Sequence, residues 1–317
     1  MENLRLLAVT ALVALASNRG YCAEPAGFAI EQKSNELVVT YDSQAIATYV
    51  FREGKVLRPY FKNVRTLGGV QVTRNHPPAV GQDATDHADM HPGIWLAFGV
   101  LGGQDFWRNK ARVEHERFGE RPFARTGEAG FTAVNRYVAT NGATICRETC
   151  RLRFQSRPEG WWLLWDSTFS SDQGEFAFGD QEEMGLGVRV ATPLTVKQGG
   201  AILNSSGGSN KRGTWGKTAD WIDYFGNVEG KTVGVLLMAD PANFRPSWFH
   251  SRDYGLMVAN PFGRNAFTKG ETSSVVVKPT ERLRLRYGLL IHASPTDQPL
   301  DRAAAYQAFL DDLKRTR

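Results

Sequence analysis

The sequence is poor in cysteine, with three residues among 317. Cys22 falls in the N-terminal segment that is expected to be removed, which leaves Cys146 and Cys150. If Ala143–Phe154 is a strand, these two side chains point the same way but lie about 13 Å apart, beyond the ~7 Å that a disulfide spans. We therefore expect two buried free thiols. Paired Cys and His spacings are missing elsewhere, which argues against a structural zinc site.

Long apolar runs are missing beyond the first residues. Leu6–Ala16 is almost wholly apolar but too short to span a bilayer, and small residues follow it, which is the pattern of a secretory signal. Cleavage fits after Ala16 or Ala23; we assign residues 1–23 to the signal and 24–317 to a single β-sandwich domain. No later stretch approaches the ~20 apolar residues of a spanning helix. We expect an exported protein, periplasmic or secreted, without a membrane span.

The chain also lacks a strong charge of one sign. Its 38 basic and 33 acidic residues give a net charge of +5, spread along the sequence. Nucleic-acid-binding proteins usually cluster basic residues on one face, so we expect no nucleic-acid partner. Gly-rich phosphate loops in a strand-to-helix setting and the Gly-x-Ser-x-Gly elbow of serine hydrolases are absent too.

What the sequence does contain is a long series of short alternating apolar and polar segments separated by turn residues. Glu36–Tyr41 and Gln44–Phe51 form one predicted hairpin, and Asn141-Gly142 predicts a second with a type I′ turn. Trp161–Trp165 is dense enough to be buried on both faces. More than ten strands without a βαβ rhythm predict an all-β fold, a single large antiparallel β-sandwich, with a supersandwich like that of galactose mutarotase as one form.

Only the C-terminal end has a helical pattern. Asp297 is a candidate N-cap and Pro299 suits a first turn. The apolar residues that share one predicted helical stripe are Tyr306, Phe309, Leu310 and Leu313.

The segment Asp86–Trp95 concentrates groups that carry chemistry. It holds His87 and His91, two of the six histidines, with two carboxylates, and it leads into an apolar run. The following Pro92 and Gly93 disfavour a continuing helix, so we expect a loop that delivers side chains to the rim of a strand. Imidazole can exchange a proton near neutral pH or bind a metal. Capping and backbone hydrogen bonds are the structural alternative.

Three downstream segments mix charged and aromatic residues. They are Gly179–Gly185, which contains Glu183 and precedes a strand bearing Arg189; Trp215–Tyr224; and Pro246–Gly255. Saccharide sites use this mixture, because aromatic rings pack on sugar C–H faces while carboxylates, amides and arginines bind the hydroxyls. Burial of the tryptophans in the core is the alternative interpretation.

Several of these segments resemble a bacterial family of exported proteins described as PmoA-like, after a methane oxygenase subunit, and otherwise as a domain of unknown function. The resemblance extends from about Val56 to Ile291. The motifs that carry it are His91–Gly99, Asp105–Lys110, Trp215–Lys217 with Asp220-Trp221, His250–Leu256 and Ala259–Gly263. It implies a β-sandwich from bacteria rich in polysaccharide-degrading genes, and it implies no established reaction.

The leading hypothesis is an exported carbohydrate-active lyase, hydrolase or epimerase that acts on a small-molecule or oligosaccharide substrate without a cofactor. His87 or His91 would transfer the proton, His250 would be its counterpart, and Glu183 would be the partner acid. The residues expected to bind substrate are Trp95, Arg108, Lys217, Asp220, Arg252, Asp253 and Asn260. A second hypothesis is a glycan-binding protein without catalysis. A third is a β-sandwich that binds a divalent metal through His87, His91 and His250. The oligomeric state stays open.

Overall fold

The computed structural model describes residues 27–315, and the predicted signal lies outside the described residues. Every strand pairing among them is antiparallel. One sheet has nine strands, in the spatial order β1 (Phe28–Gln32), β2 (Glu36–Tyr41), β3 (Gln44–Val50), β4 (Tyr60–Lys62), β5 (Ile94–Phe98), β11 (Met184–Arg189), β17 (Leu256–Asn260), β16 (Trp248–Arg252) and β13 (Lys217–Thr218).

A second sheet packs against the first. It has eight strands, in the order β12 (Ala201–Asn204), β14 (Trp221–Val228), β15 (Lys231–Ala239), β19 (Leu283–Pro295), β9 (Gly160–Ser170), β8 (Thr144–Arg157), β7 (Glu128–Val138) and β6 (Arg112–Arg125). The remaining elements are a two-stranded ribbon, two short 3-10 turns and three α-helices. They are β10 (Phe176–Phe178), β18 (Val275–Val277), the turns Thr192–Leu194 and Val196–Gln198, α1 (Asn210–Thr214), α2 (Arg264–Thr268) and α3 (Arg302–Arg315). The predicted antiparallel β-sandwich with a C-terminal helix is confirmed.

Alternation along the strands produces the core between the two sheets. On β8 the side chains of Cys146 and Cys150 point inward, and both are buried free thiols, as predicted. On β9 Trp161 and Trp165 join the same core, whereas Trp162 faces the opposite side and packs beneath α3. The prediction that this segment is buried on both faces is confirmed.

The hairpin predicted at Asn141-Gly142 forms, but its turn type differs from the prediction. The Ala139 carbonyl accepts a hydrogen bond from Gly142 N, and the Ala143 carbonyl accepts one from Ala139 N, which closes a three-residue loop. Gly142 is left-handed, with a φ of 88°, whereas a type I′ turn requires positive φ at Asn141 as well. With three residues in the loop, Asn141 does not need a positive φ.

The C-terminal helix starts later than predicted. Asp301, not Asp297, caps α3, because its carboxylate accepts a hydrogen bond from Ala304 N at 3.0 Å. Pro299 therefore precedes the helix. The predicted stripe is confirmed in its position, since Phe309 is fully buried and its neighbours on that face pack against the eight-stranded sheet.

A sealed polar cluster fastens α3 to the eight-stranded sheet. Asp223 on β14 and His292 on β19 are both fully buried, and His292 Nε2 lies 3.0 Å from Asp223 Oδ1. Arg302, at the start of α3, donates to Asp223 Oδ2 at 2.7 Å. Burial by itself raises the pKa of Asp223, but the charges and hydrogen bonds of His292 and Arg302 outweigh it and hold that pKa below its usual value.

No helix in residues 27–315 is long and apolar enough to cross a membrane.

Candidate functional site

The candidate site lies on the face of the nine-stranded sheet that points away from the other sheet. The register places Gly187 opposite Trp95 on one side and Val258 on the other, and Val258 lies opposite His250. Directly opposed residues of antiparallel strands share a face, so these four residues form one row across β5, β11, β17 and β16. A Cβ at Gly187 would lie 2.6 Å from Trp95 Cζ2, so the glycine leaves room for the indole.

A second row lies two residues further along the same strands and on the same face. Leu256 is paired with Arg189 on one side and with Arg252 on the other. His250 and Arg252 are therefore strand residues of β16 and not loop residues. Their shared direction follows from the two-residue period of the strand.

The loop before β5 brings the other two histidines over this face. His91 N donates to the His87 carbonyl at 2.9 Å, which closes a single helical turn before Pro92 and Gly93 end it. The two imidazoles are therefore stacked, with ring centroids 4.9 Å apart. His91 in turn lies on the buried indole of Trp95, at 5.1 Å between centroids and 13° between planes.

Buried arginines hold that turn in place. The guanidinium of Arg74, which is 2% exposed, donates to four backbone carbonyls of the loop, those of Ala84, Asp86, His87 and His91. Arg189, 1% exposed, makes a two-point contact with the Asp86 carboxylate at 2.8 and 3.1 Å. The histidine turn is consequently fixed from beneath by charge-assisted hydrogen bonds.

Together these elements enclose a cavity of about 260 Å³, here called the histidine cavity. The residues that line it are His87, Met90, His91, Trp107, Arg108, Glu183, His250, Arg252, Tyr254 and Leu256. Residues from four separate parts of the chain thus meet in one concave site.

Two ion pairs border the cavity. Arg108 contacts Glu183 at 2.8 Å, and Arg252 contacts Glu182 at 2.9 Å. Asn260 holds the backbone that carries both acids, because its amide donates to the carbonyls of Gln181 and Glu182 at 2.7 and 3.1 Å. Adjacent acids on one segment are thus directed to two different arginines.

The two buried histidines of the cavity are neutral at physiological pH. Burial, reinforced by the Arg252 charge, lowers the pKa of His250 to about 3. Burial, reinforced by Arg189 and other nearby cations, also lowers the pKa of His91 well below its ordinary value. The Glu182 carbonyl lies 3.2 Å from His250 Nδ1, so Nδ1 carries the proton and Nε2 is an acceptor.

That acceptor makes no hydrogen bond within residues 27–315, and the nearest carboxylate oxygen, Glu182 Oε2, lies 3.7 Å from it. His250 Nε2 is buried without a hydrogen-bond partner there, and so is His91 Nδ1. Buried polar atoms without a partner are uncommon in folded proteins and call for an explanation at each site.

Six of the predicted site residues line the histidine cavity, and five do not. Those in it are His87, His91, Glu183 and His250 from the predicted catalytic set, with Arg108 and Arg252 from the predicted binding set. Those outside it are Trp95, Lys217, Asp220, Asp253 and Asn260.

Each of the five has a local reason for its position. Trp95 is the fully buried floor beneath His91, and Asn260, also fully buried, braces the backbone at Glu182. Asp253 accepts a hydrogen bond from Lys211 N at the start of α1. Lys217 and Asp220 are exposed on and beside β13, the last strand of the sheet. The structure therefore brings six of the eleven predicted residues together and leaves these five outside the histidine cavity.

Sequence reasoning missed Tyr254, Trp107, Met90 and Leu256 as lining residues. Tyr254, Trp107 and Leu256 stand inside the motifs of the family resemblance, and Met90 lies in the segment Asp86–Trp95, so their neighbourhood was a usable signal. The buried role of Arg74 had no such signal, because Thr73-Arg74-Asn75 resembles an ordinary polar loop.

The metal hypothesis has no support in the geometry. Across residues 27–315, no group of three or more His, Cys, Asp or Glu side chains is arranged to share a metal ion.

Residues 36–307 match the model of a family of unknown function, DUF6807, and the chain belongs to that family. The predicted membership of a domain of unknown function is thereby confirmed, whereas the family's description carries no PmoA-like label. No curated protein is significantly similar to this sequence.

Among solved structures, the fold is similar to a galactose 1-epimerase from Lactobacillus acidophilus NCFM, with a TM-score of 0.39, 8% identity, and 85% of this chain and 99% of that one covered. It is also similar to a galactose-mutarotase-related enzyme from Lactobacillus acidophilus, with a TM-score of 0.32, 11% identity, and coverage of 86% and 100%. These similarities are too distant to assign a function.

Proposed function

We propose that this protein is a carbohydrate-active enzyme that binds a saccharide in the histidine cavity and moves a proton on it. The observation that carries the proposal is the meeting of His87, His91 and His250 with two arginines, an acid and aromatic walls around one cavity of about 260 Å³. A sugar offers a C–H face to the half-buried ring of Tyr254 and hydroxyls to the charged groups.

The state of the imidazoles favours proton removal over proton donation. Glycosidic hydrolysis needs a protonated general acid, whereas His91 and His250 are neutral and each has a buried nitrogen without a protein partner. The unpartnered lone pair of His250 Nε2 suits it to accept a hydrogen bond from a substrate hydroxyl. Because a pKa of about 3 makes His250 a weak base, it can take a proton only from a carbon that an adjacent carbonyl or carboxylate makes acidic. A lyase or an epimerase therefore fits the cavity better than a hydrolase.

The remaining groups complete such a reaction. Removal of a proton next to a carbonyl or carboxylate leaves negative charge on oxygen, and the guanidiniums of Arg108 and Arg252 stabilise it. Burial raises the pKa of Tyr254, so its hydroxyl keeps its proton and serves as a donor. Glu183, held by Arg108, stays the partner acid assigned from the sequence.

The test uses NMR of a panel of neutral and uronic-acid mono- and oligosaccharides in D₂O with the purified protein. Proton removal from carbon predicts deuterium incorporation at one sugar position, or an unsaturated product. We expect His91→Asn and His250→Asn to slow it by ~10²–10⁴-fold, the usual contribution of a general acid or base.

His115→Asn is the matched control. His115 is also buried, and burial lowers its pKa, but it lines a different groove beside Phe51. It should retain activity, and all three variants should melt within a few degrees of the wild type. Undiminished exchange in His250→Asn would overturn the assigned role. Binding without any product would assign the cavity to a glycan-binding protein, and new reducing ends without deuterium would indicate a hydrolase.

A further inference from the structure

A second cavity adjoins the histidine cavity. Its volume is about 330 Å³, and Tyr254 lines both cavities. The other residues of the second cavity are Arg74, Ala84, Asp86, Arg189, Val190, Thr192, Thr195, Lys197 and Gln198. Asp86 lines this cavity and His87 lines the first. The Asp86-His87 peptide and the Tyr254 ring therefore separate the two cavities and are here called the partition.

Contacts to Tyr254 and to the Asp86-His87 segment hold the partition in position. Arg189 lies 4.4 Å from the centroid of the Tyr254 ring, in a cation–π contact, and also binds Asp86. The His87 ring is nearly parallel to Tyr254, 11° apart in plane and 6.3 Å between centroids. The relation between the cavities is therefore built into the fold, and a ligand can have a unit on each side of Tyr254.

We propose that the second cavity is the neighbouring subsite of the same carbohydrate site and that it takes an anionic sugar unit, one bearing a carboxylate or sulfate. This inference rests on the proposed function. Each cavity lies near the lower end of the ~300–1,000 Å³ range of small-molecule sites, which suits one sugar unit in each. The ligand is then an oligosaccharide of at least two units.

The positive charge of the second cavity favours an anionic sugar unit. Its lining has three basic residues, Arg74, Arg189 and Lys197, against one acid, Asp86, an excess of two positive charges. The two guanidiniums bind the loop carbonyls and Asp86, and they supply the field. Lys197, exposed in the second of two short 3-10 turns (Val196–Gln198), forms no ion pair with any residue of 27–315 and can contact the anion directly.

The subsite is tested by isothermal titration calorimetry, which measures the affinity for matched uronic-acid and neutral saccharides of one, two and three units. Wild-type protein should bind the acidic disaccharide at least about tenfold more tightly than the acidic monosaccharide and than the neutral disaccharide. Lys197→Glu should weaken the acidic disaccharide about tenfold and leave the monosaccharide unchanged. Gln198→Trp places a larger side chain at the exposed rim of the second cavity. It should weaken the binding of acidic and neutral disaccharides about tenfold and leave monosaccharide binding unchanged.

Lys278→Glu is the charge-matched control, because Lys278 is exposed after β18 and lines neither cavity. It should bind like the wild type. Equal affinity for mono- and disaccharides, or full acidic binding by Lys197→Glu, would overturn the second subsite while leaving the first intact. Failure of the wild type to bind any saccharide would instead refute the proposed function.

Discussion

Two sites in this protein combine histidine, a carboxylate and arginine, and they differ in whether a ligand can reach their side chains. At the sealed cluster, Asp223 satisfies His292 and Arg302 at once, and both Asp223 and His292 are fully buried. At the histidine cavity, His91 and His250 are nearly as buried but border an open space, with one ring nitrogen each lacking a partner in the described chain.

The difference shows that residue type does not distinguish a structural site from a candidate functional one. The Asp223 carboxylate binds His292 and Arg302, and although His292 Nδ1 also lacks a partner among residues 27–315, that ring is fully buried and out of reach of a ligand. His250 binds the Glu182 carbonyl through Nδ1, and its Nε2 makes no hydrogen bond although the residue lines the cavity. Access from a cavity, and not an unpartnered nitrogen alone, is what marks the histidine cavity as a candidate binding site.

The strongest test of the comparison is Asp223→Asn. Removing the carboxylate leaves the Arg302 cation without its counter-ion in a buried setting, which costs about 3–5 kcal/mol of unfolding free energy. Urea unfolding monitored by tryptophan fluorescence measures the loss. Saccharide binding by the folded variant should be unchanged. Glu128→Gln, which breaks the outer pair with Arg125, should cost under about 1 kcal/mol. Equal losses in the two variants would contradict the structural role of Asp223.

A smaller effect is expected from Arg74→Lys. Lysine keeps the charge but cannot reach the four carbonyls that the guanidinium binds, so the variant should lose about 1.5–3 kcal/mol of unfolding free energy. Because His87 and His91 then lose their support, saccharide affinity should fall as well, unlike in Asp223→Asn. The control is Arg65→Lys, since Arg65 binds a single carbonyl, that of Gly69. Unchanged saccharide affinity in Arg74→Lys would show that the turn from His87 to His91 keeps its conformation without the Arg74 guanidinium.

The smallest expected effect is on the pH dependence of stability. His250 has a folded pKa of about 3 against ~6.5 in an unfolded chain, so between these values only the unfolded state binds its proton. The free energy of unfolding therefore falls as pH drops below about 6.5. The stabilising contribution of Asp223, whose pKa is lowered in the fold, is lost only below about pH 4.

The measurement is the melting temperature between pH 7.5 and 5.5. Wild-type protein should lose a few degrees over this range, and His250→Asn should lose less, because one of the buried neutral imidazoles has been removed. Glu128→Gln should follow the wild type. Identical slopes for wild type and His250→Asn would mean that His250 is protonated in the fold.

The sandwich could be predicted from the sequence because its cause is local. Alternation with a period of two placed Cys146 and Cys150 inside, and turn residues marked the hairpins. The errors arose where neighbouring residues compete for one role. Asp297 and Asp301 are both acceptable caps, and only the packing of Phe309 against the sheet fixes where α3 begins.

The site was predictable only in part, for a different reason. The histidines and arginines stood out by their chemistry, and six of them or their partners line one cavity. Asn260 and Asp253 carry the same chemistry, but their hydrogen-bonding groups are used on the backbone of Glu182 and of α1. No spacing along the chain reveals that a polar side chain has already been satisfied.

The sequence by itself determined the strand pattern, the buried thiols and the interruption of the histidine segment at Pro92 and Gly93, since each depends on neighbours a few residues away. The tertiary structure decided that His250 shares a face with Trp95, because that follows from the register of four strands far apart in the chain. It also decided which polar groups remained free. Free and satisfied groups differ in their long-range partners and not in their chemical type.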